Sequence, residues 1–479
     1  MGKELGGRPS RDSPDLLVVL RADTGQPLRE QLRDAIKDAI RSGRLPAGGR
    51  LPSSRALAAD LGVSRGVVVD AYAELAAEGF VTSQAGSGTH VTATFQLPRL
   101  EPLAHLTPTP APAVAVDFDL RADRPDLSLF PRRKWVAATR DAMRDLADAD
   151  LGYGDPLGSP QLRSQLGAYL SRVRGAVAAP EGVLIVAGVT QGLELLAREL
   201  VAHGQETLAV EDPGSSRLQR VLARTGLRLV PVPVDRDGLD VAALAATGAR
   251  AVLCTPAHQF PTGATLSALR RTALLRWAAE RDGLVIENDH DAVFRWDRMP
   301  MGCLQGLDPH RVALLGSVSR SLAPGLRLGW IVPPAPLLSS LVVAKRDGDG
   351  GSSVIEQHAL ARLIEMGAFD RHLRRARKIY RTRRDALLTA LGQQFPGWVV
   401  IGATAGLHVW LQPRGEVDAA ALVAAAAARG VAVEATAATS VHPPRLSGLV
   451  VGYATLDAEH IIEAVSRLAD AVREVGVSS

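Results

Sequence analysis

The sequence predicts an α/β chain in two parts. A small helical part ends in a β-hairpin, and a large part holds a mainly parallel sheet with a small C-terminal α+β portion. Three observations predict this. Three short helical patterns with a tight turn between the second and third precede two strand-like runs. A proline-rich stretch without apolar periodicity follows. From there apolar strand-like runs alternate with helical stretches, the pattern of a parallel sheet covered by helices.

Size and composition bound the possibilities. At 479 residues the chain is too long for one ordinary domain and fits two or three. With 46% hydrophobic and 22% charged residues it reads as globular rather than disordered. No apolar run is long enough to span a bilayer, and no secretory pattern opens the chain, so no membrane partner is expected. Two cysteines, Cys254 and Cys303, make no disulfide framework, which points to a reduced, cytoplasmic protein. Neither has a CxxC partner and the histidines lack ligand spacing, so no metal site is expected. The net charge is +4, and over residues 1–92 Lys and Arg exceed Asp and Glu by only one. Charge alone therefore does not announce nucleic-acid binding.

Residues 1–14 read as a loose polar tail, and the first domain as 15–92. Pro27-Leu28 opens a helix whose apolar face is Leu28, Leu32, Ala35, Ile36, Ala39 and Ile40, ending at Ser42-Gly43. A second helix starts at Leu51-Pro52-Ser53-Ser54 with a serine cap, turns Leu57, Ala58 and Leu61 inward, and stops at Gly62. Ser64 caps a third, with Val67, Val68, Ala71, Tyr72 and Leu75 inward and Gly79 after its end. Strands at 80–82 and 89–91 flank a hairpin tip, Ala85-Gly86-Ser87-Gly88. These elements describe a winged helix-turn-helix, and the stretch closely resembles the DNA-binding domain of the GntR regulators. The matching words include Leu51-Pro52-Ser53-Ser54-Arg55, Leu61-Gly62-Val63-Ser64-Arg65, Glu78-Gly79 and Gly86-Ser87-Gly88. The resemblance implies operator DNA as partner. Ser64, Arg65 and Gly66 open the helix that enters the major groove, Gly66 offering backbone only. Arg55 touches DNA, and Ser87 and Gly88 sit in the wing. An Arg at Arg65 can pair with guanine. The bland alternative is that Arg55 and Arg65 are solvated surface charges.

Residues 93–116 form the proline-rich linker, and 117–479 the large domain, with its small C-terminal portion from about 370. Strand candidates are 183–186, 207–210, 227–234, 251–255, 284–287 and 312–316. This part resembles the class I aminotransferases, enzymes of the fold-type I pyridoxal phosphate (PLP) group. Among the words that carry it are Tyr153-Gly154-Asp155-Pro156, Ala187-Gly188-Val189-Thr190-Gln191, Glu211-Asp212-Pro213-Gly214 and Glu287-Asn288-Asp289-His290-Asp291. A GntR-type winged helix before an aminotransferase domain is the arrangement of the MocR branch.

The resemblance implies a divided cofactor site. Gly188, Val189 and Thr190 would sit at a helix N-terminus that favours a phosphate. Ser317, Ser319 and Arg327 match phosphate-binding positions, and Tyr153 matches a tyrosine that reaches the neighbouring subunit's phosphate, implying a homodimer. The ring half differs. Arg320 stands in Ser317-Val318-Ser319-Arg320, where the family has its Schiff-base lysine. Only a neutral amine attacks the PLP aldehyde, and a guanidinium stays protonated. Asn288 stands where the family places the aspartate that pairs with the ring nitrogen, and His290 where it has a tyrosine. Asp289 and Asp291 flank these positions, and an offset of one residue would restore an aspartate. Ser215 lies near a ring-stacking tyrosine position, and residues 448–453 lack the carboxylate-binding arginine, with Arg445 displaced.

Two other stretches stand out. The basic run over 370–385 reads as a solvated helix face, with a contact to bent DNA as the alternative. The alanine-rich run over 417–429 reads as a helix of the C-terminal portion. The sequence thus predicts a DNA-binding transcription regulator whose aminotransferase-like domain has lost covalent PLP chemistry, dimerises and senses an effector. That effector could be PLP held without a bond, another phosphorylated or amino-acid-like molecule, or nothing. An active PLP-dependent aminotransferase fused to a DNA-binding domain is the alternative, with Lys345 the nearest lysine beyond the loop. A scaffold with a vestigial site is the third reading.

Overall fold

The computed structural model of the chain describes residues 20–21, 25–84, 88–92, 116–122, 124–296, 301–415, 417–436 and 448–475. The expected wing tip with Ser87, most of the expected linker, and Arg445 lie outside these residues. Two compact units divide at 112/113.

In the first unit, helices α1 (Leu28–Arg41), α2 (Ser54–Leu61) and α3 (Arg65–Ala77) precede strands β1 (Val81–Gln84) and β2 (Gly88–Val91). Helix α1 follows Pro27 without a side-chain cap, whereas serines cap α2 and α3. Ser53 Oγ accepts from Ala56 N (3.2 Å), and Ser64 Oγ accepts from Val67 N (3.5 Å). Gly62, at φ +65°, lets α2 end and α3 begin within a few residues. Leu32, Ile36, Leu57, Leu61, Val68 and Leu75 bury into one core. The Tyr72 hydroxyl donates to Pro52 O (2.9 Å) and ties α3 to the start of α2. The antiparallel β1–β2 ladder completes the winged helix.

In the second unit, β3 (Phe118–Asp119), α4 (Arg132–Asp145) and α5 (Pro160–Arg174) come first. Then follow β4 (Leu184–Val186), α6 (Val189–Ala202), β5 (Thr207–Asp212), α7 (Ser216–Ala223), β6 (Arg228–Asp235), β7 (Gly238–Leu239), α8 (Val241–Ala246), β8 (Ala251–Cys254), α9 (Ala268–Arg281), β9 (Leu284–Asn288), β10 (Val312–Ser317) and β11 (Gly329–Val332). The last elements are α10 (Ala335–Asp349), α11 (Val354–Glu365), α12 (Ala368–Gln394), β12 (Val399–Ile401), β13 (His408–Gln412), α13 (Ala419–Ala428), β14 (Val431–Ala432), β15 (Glu434–Ala435), β16 (Leu449–Gly452) and α14 (Ala458–Glu474).

The main sheet has the order β4-β11-β10-β9-β8-β5-β6-β7. Neighbours from β10 through β6 are parallel. Their continuous apolar runs are buried, as a sheet covered on both faces requires. Strand β11 was not among the sequence candidates. It runs antiparallel between β10 and β4, so Ser317 faces Gly329 across the ladder and closes the base of the loop that carries Arg320.

The small C-terminal sheet, β12-β13-β16-β15, is antiparallel. Its core also takes in Phe118, Leu120, Phe294 and Trp296, and β3 pairs in parallel with β14. The start of the large domain is thus built into its end.

The basic run on α12 is only partly a solvated face. Arg377 Nε donates to Val293 O (2.6 Å), Arg383 pairs with Asp126 (2.8 Å), and His372 contacts Ser321 O (2.7 Å). Arg374, Arg375, Lys378 and Arg381 are exposed.

Candidate functional site

At the C-terminal ends of β5, β9 and β10 lies a cavity of about 220 Å³. The carboxyl ends of parallel strands are where open α/β sheets bind ligands. The cavity is bordered by Val189 and Thr190 from α6, by Asn288 and His290 at the end of β9, and by Ser317, Ser319, Arg320 and Arg327 around the β10–β11 loop. Ser215 borders it as well, so nine positions singled out in the sequence meet in one place.

One side of the cavity is built around the N-terminus of α6. Gly188 caps that helix at φ +96°, and the first amides of a helix have no partner within it. A Cβ on Gly188 would lie 3.5 Å from the Arg327 guanidinium, so the two are packed together. Arg327 donates to Ala187 O and holds a left-handed backbone at φ +52°. Gly329 brings its backbone against Gly188, where a Cβ would meet Gly188 Cα at 2.8 Å. Arg217 donates to Thr190 Oγ1 (3.0 Å), and Ser319 N donates to Ser317 Oγ (3.3 Å). Two guanidiniums and a helix N-terminus thus face one spot, which suits a phosphate.

Arg320 stands apart from this group. It is 7% exposed, and its Nε lies 3.7 Å from Asp291 Oδ1, longer than a hydrogen bond. Burial pulls the guanidinium down to about 10, offset in part by Tyr380 and Glu434, so it remains cationic at neutral pH.

Asn288, Asp289 and Asp291, all within four residues of Glu287, have separate destinations. Asn288 lines the cavity, and its buried Oδ1 has no hydrogen-bond partner among the described residues. Asp289 is paired with Arg174 through two hydrogen bonds of 2.8 and 2.9 Å. Asp291 is fully buried and does not border the cavity. No aspartate of this segment takes the place of Asn288.

Sequence reasoning missed two groups. Glu211, at the cavity wall, accepts from Thr255 N (3.1 Å), Thr255 Oγ1 (2.5 Å) and Gln259 Nε2 (3.3 Å). Burial pushes its carboxyl up to about 7, against the pull of those hydrogen bonds. A raised folded-state value favours the protonated native protein, so this group's contribution is present at low pH and is lost as pH rises from 4.5 through about 7. Urea midpoints should fall between pH 5 and pH 8, and Glu211→Gln should flatten that fall. Glu287, also pushed up to about 7 by burial, leaves a residual slope.

The second missed group is His258, Asp291 and His408, whose ligand-type atoms lie within 4.8 Å of one another. Sequence spacing pointed to no metal site, and these residues come from distant segments. Backbone groups of Gly263, Leu407 and Pro261 exert a field on them, yet none closes a hydrogen bond to a side-chain atom of the three. Burial holds His258 down to about 3 and His408 well below its ordinary range, so both are neutral at pH 7. The Arg320 guanidinium beside Asp291 disfavours a cation there.

Tyr153 does not border the main cavity. It is 93% exposed and lines a separate cleft of about 330 Å³ with Gly350 and Gly351. Lys345 is buried on α10 and bound to Asp349 (2.7 and 2.8 Å), away from the cavity wall. In the first unit, Arg55, Ser64, Arg65, Gly66 and Gly88 are all exposed. Arg65 Nε approaches Ser54 Oγ at 3.4 Å. Glu74 of α3 and Glu78 just after it are paired with Arg29, Arg33 and Lys37 of α1.

A winged helix-turn-helix followed by an aminotransferase-type domain with an anion-ready cavity defines a class of two-part regulators. Residues 28–91 match the family of bacterial regulatory proteins, gntR family, and residues 123–468 match aminotransferase class I and II. The chain belongs to the GntR-family transcriptional regulators that carry a class I and II aminotransferase domain. It is 33% identical over 468 residues to the pyridoxine biosynthesis transcriptional regulator PdxR of Corynebacterium glutamicum, covering 96% of this chain and 99% of that one. It is 31% identical to MocR of Rhizobium meliloti, a probable rhizopine catabolism regulatory protein, covering 95% and 96%. Among solved structures it resembles kynurenine aminotransferase of Pyrococcus horikoshii, with a TM-score of 0.70 and 26% identity over 79% of this chain and 94% of that one. No helix among the described residues is long and apolar enough to cross a membrane.

Proposed function

We propose that this protein is a sequence-specific, operator-binding transcription regulator of the cytoplasm. Its aminotransferase-like domain senses a ligand and pairs the subunits without covalent PLP chemistry. The observation that carries the reading is the buried cationic Arg320 in the cavity wall, which we read as standing where the family has its Schiff-base lysine.

Proteins of this fold bind PLP, and the residues present fit one half of it. Gly188, Val189, Thr190, Ser317, Ser319 and Arg327 would hold the phosphate. The other half does not fit an imine. Arg320 offers no neutral amine, and Lys345 is committed to Asp349. The neutral Asn288 amide cannot supply the counter-charge that keeps a ring nitrogen protonated. No specific observation favours an active aminotransferase.

Arg55, Ser64, Arg65 and Gly66, with Ser87 and Gly88 in the wing, form the DNA-reading face. Tyr153 is nearly fully exposed beside Gly350, and its likeness to the tyrosine that reaches a neighbouring subunit's phosphate supports a homodimer. A ligand that binds the cavity more tightly in one subunit arrangement than another shifts operator affinity by that difference.

The test mixes full-length protein with PLP, adds borohydride, and reads absorbance and intact mass. The expected result is no imine band and no trapped phosphopyridoxyl group. A trapped group on a lysine, together with amino-group transfer between amino and keto acids, overturns the reading.

A further inference from the structure

We infer that the cavity selects a doubly anionic ligand: a small phosphate monoester that also carries a carboxylate, which Arg320 receives. This rests on the reading of the cavity as a sensor that binds without an imine. Three guanidiniums border the cavity: Arg217, Arg320 and Arg327. The carboxyl that borders it, Glu211, is already held by Thr255 and Gln259 and is largely protonated below pH 7. Arg217 and Arg327 suffice for one phosphate, and Arg320, with Asp291 3.7 Å from its Nε, is a further cation at the wall.

The positive groups are also divided in space by what holds them. Arg217 and Arg327 are tied to Thr190 and Ala187 around the start of α6 and serve a phosphate there. Arg320 is fixed elsewhere, beside Asp291. A guanidinium discriminates sharply among groups placed against it. A carboxylate accepts two parallel N–H bonds, an aldehyde oxygen accepts in one place, and an ammonium is repelled. Where a lysine would select for an aldehyde, Arg320 selects for the corresponding acid. A second feature points the same way. Asn288 Oδ1, buried and without a partner among the described residues, is placed to accept from a ligand N–H or O–H, which the neutral amide does without adding charge.

The experiment compares four probes on the full-length protein by calorimetry and thermal shift. They are inorganic phosphate, PLP, pyridoxamine 5′-phosphate, and 4-pyridoxic acid 5′-phosphate, in which a carboxylate replaces the aldehyde. The unmodified chain should bind the acid about tenfold or more tighter than PLP, the worth of one charge-assisted pair, and the amine weakest of the three pyridine phosphates. Arg320→Gln should erase the preference for the acid over PLP, costing the acid more affinity than it costs PLP. Arg327→Ala should weaken every probe. Equal binding of acid, aldehyde and amine by the unmodified chain overturns this inference alone and leaves a non-covalent sensor standing. No binding of any probe removes the sensing reading as well. The comparison within the unmodified chain needs no variant and stands even where Arg320→Gln folds poorly.

Discussion

Replacing Arg174 with methionine should cost the large domain about 3–5 kcal/mol of stability, because it strands a buried carboxylate. Arg174 closes α5 with a side chain 5% exposed, and Asp289 at the end of β9 is 8% exposed. Two hydrogen bonds join them, and Arg174 also donates to Met301 O. Burial alone would lower the guanidinium, but the pairing with Asp289 outweighs it and holds it above its ordinary value. The pair does more than stabilise. By drawing Asp289 to one side it fixes which residue of the segment faces the cavity, and that residue is Asn288. All six tryptophans lie in the large domain, so their fluorescence in urea reports on this unit without interference from the winged helix. The double change Arg174→Met with Asp289→Leu should recover most of the stability, since removing both charges leaves nothing uncompensated. A single variant that unfolds within about 1 kcal/mol of the parent would show that water or another cation reaches Asp289, and the account of the pair would fail.

The same pair explains what the sequence could and could not disclose. The helices of the first unit were legible because everything that defines them is local: Ser53 and Ser64 as caps, Gly62 as the turn, and apolar residues at helical spacing. The parallel strands were legible because burial on both faces leaves continuous apolar runs such as Ala251–Cys254 and Val312–Ser317. Strand β11 was not. Gly329–Val332 is short and starts two residues after Arg327, so the loop that carries the phosphate-binding positions and the strand read as one run. Whether Asn288 or a neighbouring aspartate faced the cavity was likewise undecidable along the chain, because the deciding residue, Arg174, is 115 positions away. The gathering of Glu211 with Thr255 and Gln259, and of His258 with Asp291 and His408, depends on the same long-range packing. Residue types at the cavity could be read from sequence, and their neighbours across the fold could not.

Arg65→Ala should weaken binding to the cognate operator by about 1–3 kcal/mol for each base edge that the guanidinium reads, roughly a 5- to 150-fold rise in Kd. Arg65 is the first residue of α3, exposed, and held at the helix start by the Ser64 cap, where side chains reach base edges in the major groove. Of the acidic groups further along α3, Glu74 is bound to Arg29 and Arg33 of α1, while Asp70 is exposed. The fold should survive the change, since the core below is Val68, Ala71, Tyr72 and Leu75, none of which the side chain supports. The informative measurement is a pair of titrations at one salt concentration, one with operator DNA and one with a scrambled duplex. Binding to the scrambled duplex should change little, and the salt dependence should be nearly that of the parent. Equal weakening on both duplexes, with a shallower salt dependence, would mean that Arg65 touches phosphate rather than a base edge. Sequence reading would then fall to the other side chains of α3 and to the wing.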